Sequence, residues 1–223
     1  MMVAASHVLE REGSIVDPGG VDIAALHEHM IETGDIQDYP GFTESGPEML
    51  EAEADILIPA AMEGVINQHN APRIRTPLII EAANGPVTAP GDAALRGRGI
   101  VIIPDFCANA GGVTVSYFEW IKNLTHIRFG RIQRRQLKNQ FEALIAGIES
   151  ITGTPFPVAH RNEVLSGATE INLVRSGLED TMRGAYTAIS ATWNETDNVP
   201  DLRTAAMMIA VDRVAQSYIS IGI

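Results

Sequence analysis

Short, unbroken apolar runs alternate with segments of helical period through the first half of the chain, and the second half is mainly helical in pattern. Three runs stand out: DILI (residues 55–58), LIIEA (78–82) and GIVIIP (99–104). Each is bounded by turn-forming residues and nearly free of polar positions, the pattern of strands buried on both faces of a parallel sheet. MVAAS (2–6) reads as a further strand near the N-terminus. Residues 22–33 follow a helical pattern and predict a helix capped by Asp22. The next segment, 34–49, contains Pro40, Gly41 and Pro47 and reads as a loop. Beyond the third run, helices are predicted over 113–123, 133–151, 162–193 and 202–219, interrupted at GTPFP and NETDNVP. The fold class expected is α/β: a doubly wound parallel sheet followed by a mainly helical C-terminal region.

Composition narrows the function classes. The 223 residues are 45% hydrophobic and 20% charged, ordinary for a globular chain, with a net charge of -12. Such acidity argues against a nucleic-acid partner, because phosphate binding needs clustered Lys and Arg. The one basic cluster, Arg128, Arg131, Arg134, Arg135 and Lys138, reads at helical spacing as a solvated face or an intersubunit salt-bridge surface. Cys107 is the only cysteine, so the chain has no internal disulfide and no thiolate metal cluster. That usage implies a reducing, cytoplasmic setting. No basic-then-apolar leader opens the sequence, and no apolar run approaches the roughly 18 residues that span a bilayer, so no membrane partner is expected. None of the six histidines has a partner at metal-ligand spacing; His27 and His29, two apart on a helix, face different ways.

The candidate chemistry sits where the apolar runs end, the place at which open α/β sheets bind ligands. PAAMEG (59–64), AANGPVT (82–88) and PDFCANAGG (104–112) occupy those positions. Asn84 and Asn109 each offer amide donors and an acceptor beside small residues, which suits the amide or ribose of a nicotinamide nucleotide. They also suit turns that need left-handed geometry, and both readings stand. Ser116, seven residues after Asn109, is a ligand contact or a helix-packing serine. Cys107 reads as a small buried residue. No GxGxxG occurs, so a pyrophosphate grip is not expected within this chain.

DILIPAA, IIEAANGPVT, IPDFCANAGGVTVSYFEW and DLRTAA, in this order and spacing, resemble the C-terminal, nucleotide-binding portion of hexameric glutamate dehydrogenases, members of the glutamate, leucine, phenylalanine and valine dehydrogenase family; the leucine and phenylalanine relatives share Asn-Ala-Gly-Gly but usually differ at SYFEW. The resemblance runs from about Met2 to the C-terminus. It implies that the chain binds NAD or NADP and belongs to an enzyme that interconverts L-glutamate and 2-oxoglutarate. Position by position it assigns Asn84 and Asn109 to the nicotinamide ribose and carboxamide, and Ala60 and Ala61 to the small pair lining the cofactor. Ser116 takes the side-chain carboxylate of glutamate, with Val113 packing beside it. His7 or Glu10 falls near the adenosine-ribose position.

The resemblance further implies a partial Rossmann-like sheet lacking its first βα unit, with residues 1–152 binding NAD(P) and 153–223 forming the helical region. No catalytic lysine or aspartate of the family falls within the chain. With strand order 3-2-1-4-5-6, residues 2–6 would be the second strand and 55–58 the third, across a gap from the later strands. Unpaired edges at that gap would make the isolated chain marginal unless another polypeptide fills it. Two roles remain open at this level: an oxidoreductase portion, acting as a homo-oligomer or with a complementing N-terminal domain, and a non-catalytic assembly module.

Overall fold

The computed structural model describes residues 4–125, 131–166 and 170–222. The chain divides into two compact units, Met1–Asn109 with Asn198–Ile223, and Ala110–Asp197. Residue 152, where the sequence reading divides the nucleotide-binding region from the helical one, falls inside the second unit.

The first unit contains two sheets. In one, β1 (His7–Leu9), β2 (Ser14–Val16) and β3 (Phe42–Thr43) are antiparallel, with β2 in the middle. The register pairs Val8 with Ile15 and Ile15 with Phe42. This corrects two expectations. Described residues 4–6 hold no strand, since the strand begins at His7 and turns back as a hairpin; and the presumed loop 34–49 contains β3. The hairpin wraps a small core of Ile15, Val21, Leu26 and Ile36. Leu26 comes from α1 (Ile23–Thr33), whose Asp22 cap accepts from the Ala24 and Ala25 amides. Gly34 ends that helix at φ 87°, and its N–H donates to the Met30 carbonyl.

Gly41, just before β3, helps tie that edge strand to the central β2. It has φ 86°, its carbonyl accepts from the Val16 amide at 3.0 Å, and an added Cβ would lie 2.7 Å from the Val16 carbonyl oxygen. Gly41→Ala is therefore expected to cost about 1–3 kcal/mol, read as a lowered thermal midpoint.

The second sheet is parallel and ordered β4 (Ile56–Leu57), β5 (Leu78–Ile80), β6 (Val101–Ile103). Ile56 pairs with Leu78, and Ile79 with both Leu57 and Ile102. The first apolar run therefore pairs directly with the second, and does not stand across a gap from it. Ile79 and Ile102 are buried with Ile66, Ile74, Leu95 and Ile100, whereas Val101 is 36% exposed. Burial on both faces, as the runs suggested, is not what β6 shows. Helix α2 (Ala89–Gly97), capped by Thr88, contributes Leu95 to this core. Helix α8 (Leu202–Ser220), capped by Asp201, buries Leu202, Ala205 and Ala206 and passes beside β6.

The second unit is helical. After α3 (Asp105–Ala108), which belongs to the first unit, come α4 (Ala110–Thr125), α5 (Arg131–Thr152), α6 (Val158–Ser166) and α7 (Glu170–Glu195). Helices α4 and α7 meet through reciprocal glycines. A Cβ on Gly111 would stand 3.3 Å from Leu178, and one on Gly177 would stand 3.4 Å from Phe118. The Glu149 carboxylate ties α5 to the following turn and to α6, accepting from the Phe156 amide at 2.8 Å and from Arg161 at 3.0 Å. Of the basic cluster, Arg128 and the side chains of Arg131, Arg134 and Arg135 lie outside the described residues; Lys138 pairs with Glu142 at 3.9 Å.

Candidate functional site

Three loops leave the C-terminal ends of β4, β5 and β6, and hydrogen bonds to main chain and to one carboxylate stitch them together. The Pro59 carbonyl accepts from the Ala82 and Ala83 amides at 3.1 and 2.9 Å. The Asp105 carboxylate accepts from the Gly85 amide at 2.8 Å. Ala60 and Ala61 lie exposed on the first loop, Asn84 lies exposed on the second, and half-buried Asn109 ends the third.

The two asparagines touch. Asn109 Nδ2 donates to Asn84 Oδ1 at 2.7 Å and to the Ala82 carbonyl at a long 3.4 Å. The Asn109 amide nitrogen donates to the Asp105 carbonyl at 2.8 Å, which fixes its backbone at the end of α3. With that pairing made, Asn84 Nδ2 and Asn109 Oδ1 take no partner among the described residues. A free donor and a free acceptor thus stand together beyond the ends of β5 and β6, the complement of a carboxamide or a hydroxyl.

Beneath this pair lies an ionic cluster that the sequence reading did not assign. Glu81 follows β5 and is fully buried. Arg203, near the start of α8, donates through Nη2 to both Glu81 oxygens at 2.8 Å. Its other nitrogens stand 3.5 Å from Asp105 Oδ1 and 3.7 Å from Asp92 Oδ1. The Asp105 amide donates to Glu81 Oε2 at 2.8 Å. Arg96 joins Asp92, at 2.7 Å, to Asp201, at 2.8 Å.

Burial is the leading influence on Glu81 and pushes its carboxyl above the ordinary value, against the hydrogen bonds and charge of Arg203. Burial also opposes the charge on Arg203, yet Glu81, Asp92 and Asp105 together hold the guanidinium above its usual value. The sequence signal was present: a carboxylate closing an apolar strand run, as in LIIE, needs a cation when buried.

Cys107 and His29 serve the fold. Cys107 is buried, and burial pushes its thiol up, away from nucleophile chemistry. His29 meets the Gln37 carbonyl at 2.8 Å and the edge of Tyr39. Val113, 75% exposed, and Ser116, also exposed, lie on α4 in the second unit. His7 lies in β1 and contacts the Ser6 hydroxyl, and Glu10 is exposed just beyond the strand. Among the described residues, no group of three His, Cys, Asp or Glu could hold a metal ion, and no helix is long and apolar enough to cross a membrane.

A family model described as Glutamate/Leucine/Phenylalanine/Valine dehydrogenase matches residues 3–151. The chain belongs to this dehydrogenase family. Among its relatives, the probable glutamate dehydrogenase of Sinorhizobium fredii is 45% identical over 92% of the chain and 47% of the relative. The mitochondrial glutamate dehydrogenase of Dictyostelium discoideum is 43% identical over 96% of the chain and 43% of the relative. The chain thus spans a little under half the length of these dehydrogenases. In fold it is similar to the hetero-hexameric glutamate dehydrogenase of Thermus thermophilus, with TM-score 0.70, 21% identity, and coverage of 99% of this chain and 42% of that one.

Proposed function

We propose that Ala60, Ala61, Asn84 and Asn109 hold the nicotinamide end of NAD or NADP, in a chain that forms the nucleotide-side wall of a glutamate dehydrogenase. The observation that carries this reading is the Asn84–Asn109 pair at the ends of β5 and β6, with one donor and one acceptor left over. The alanine methyls fit the group as well, since they leave the main chain open to a flat ring. A nicotinamide nucleotide supplies the hydride acceptor for reversible oxidative deamination of L-glutamate to 2-oxoglutarate and ammonia.

The chain's own part is to bind and orient. Asn84 donates through Nδ2 and Asn109 accepts through Oδ1, which fixes the rotation of the carboxamide and hence the ring face presented. On α4, the Ser116 hydroxyl donates a hydrogen bond to the distal carboxylate of the substrate, and Val113 packs beside it. None of these residues is assigned a proton-transfer role.

Assembly is part of the proposal: a homo-oligomer, or a complementing N-terminal domain. On α8, Met207, Val211, Val214 and Tyr218 recur at helical spacing and are all more than half exposed. An apolar stripe of this kind marks a surface that a partner covers.

Titration with NADH and NADPH, followed by nucleotide fluorescence, tests the site. Asn109→Ala is expected to weaken binding about ten-fold or more, the cost of one lost charge-free anchor and a disturbed neighbour. Equal affinity in parent and variant, or no saturable binding by either, overturns the reading. Glutamate-dependent turnover, measured alone and after adding a glutamate dehydrogenase N-terminal half, separates an oxidoreductase portion from an assembly module.

A further inference from the structure

We propose that Arg203 is the positioning residue of the cofactor mouth: through Glu81 and Asp105 it sets the spacing of the two loops that carry Asn84 and Asn109. This deepens the nicotinamide reading and rests on it.

The connections are short and continuous. Arg203 Nη2 bridges both oxygens of Glu81, and Glu81 Oε2 in turn accepts from the Asp105 amide at 2.8 Å. One carboxylate thus joins the end of β5 to the first residue of α3. Asp105 then acts in two directions. Its Oδ2 accepts from the Gly85 amide, one residue past Asn84, and its carbonyl accepts from the Asn109 amide. Arg203 Nη1 stands 3.5 Å from Asp105 Oδ1, which also accepts from the Phe106 amide, and the guanidinium lies 5.9 Å from the centre of the Phe106 ring.

Each asparagine therefore stands within one or two bonded steps of a carboxylate that Arg203 touches. No other cation contacts Glu81 or Asp105 among the described residues. Lysine cannot replace it, because a point charge cannot address Glu81, Asp92 and Asp105 from one planar fork.

Fold integrity alone predicts a different outcome from positioning, and the ligand pair NADH and ADP-ribose separates the two. ADP-ribose lacks the nicotinamide, so it leaves the asparagine pair unread. Arg203→Lys is expected to weaken NADH about ten-fold while changing ADP-ribose less than about two-fold. In asparagine-labelled protein, the Asn109 side-chain amide resonances are expected to move toward solvent values. Arg98→Lys, whose parent donates to the Ala71 and Ile74 carbonyls, serves as a destabilised control with an unchanged affinity ratio. Glu81→Gln carries the same readouts if Arg203→Lys does not fold. Loss of both ligands in parallel, loss of neither, or an unmoved Asn109 amide overturns the proposal. If the parent chain binds no nucleotide, the nicotinamide reading falls, and the amide resonances alone decide whether Arg203 sets the pair.

Discussion

Arg203→Met costs the fold about 3–5 kcal/mol at neutral pH, the range expected when one partner of a buried ion pair is removed. Methionine matches the stem in length and packing, so the loss is electrostatic. It leaves Glu81 fully buried with a charge and no cation, and leaves Asp92 and Asp105 near it. Glu81→Gln is milder, about 1–3 kcal/mol, because Arg203 keeps two carboxylates and the amide still accepts from the Asp105 N–H.

The pH dependence carries a sign. Burial already holds the folded Glu81 pKa above its unfolded value. Such a group stabilises the fold below the unfolded pKa, and that contribution is lost as pH rises through the folded one. Removing the guanidinium raises the folded value further. The deficit of Arg203→Met is therefore largest at neutral pH and shrinks as pH falls toward the carboxylate range. Urea unfolding across that range checks this, and a deficit that grows in acid contradicts it.

Ile79→Ala costs about 2–5 kcal/mol. Ile79 is the middle residue of the middle strand of the parallel sheet, with no exposed surface. Its neighbours Leu57 and Ile102 are held by strand pairing, and Ile66, Ile74 and Leu95 close around it. Fixed surroundings cannot collapse into the space, so the cavity contribution adds to the lost burial. Ile79→Val, which removes one methylene, costs about 0.5–1.5 kcal/mol. The midpoint in urea is expected to fall at constant slope, and a cost under about 1 kcal/mol for alanine would place Ile79 outside the closed core.

The parallel sheet was legible because LII and VII are unbroken apolar runs flanked by turns, and DILI nearly so. The helices were legible from period, and Asp22 declared its cap. Its pairing partner was not legible for DILI, because apolar content identifies a strand but not its neighbour. The antiparallel sheet was missed for a related reason: HVL, SIV and FT are too short to show alternation, and their pairing rests on a four-residue turn and on Gly41.

Asn84 and Asn109 were readable from their places after consecutive strands. The small residues beside Asn109 suited the close approach of a nucleotide, whereas Gly111 lies against Leu178 in a helix contact. Glu81, Asp105 and Arg203 were not assembled from sequence, because their meeting depends on tertiary structure across most of the chain.

The first unit is discontinuous: its last helix arrives only after the whole second unit has been made. Glu81 precedes its arginine by 122 residues. At roughly 5–20 residues per second of synthesis, that interval is about 6–24 s. During it, the strand end that anchors the mouth carries a carboxylate with no cation, favouring the protonated or solvated form over burial. A ribosome stalled before residue 203 would therefore hold a nascent chain whose parallel sheet can pair but whose loops are not yet in register.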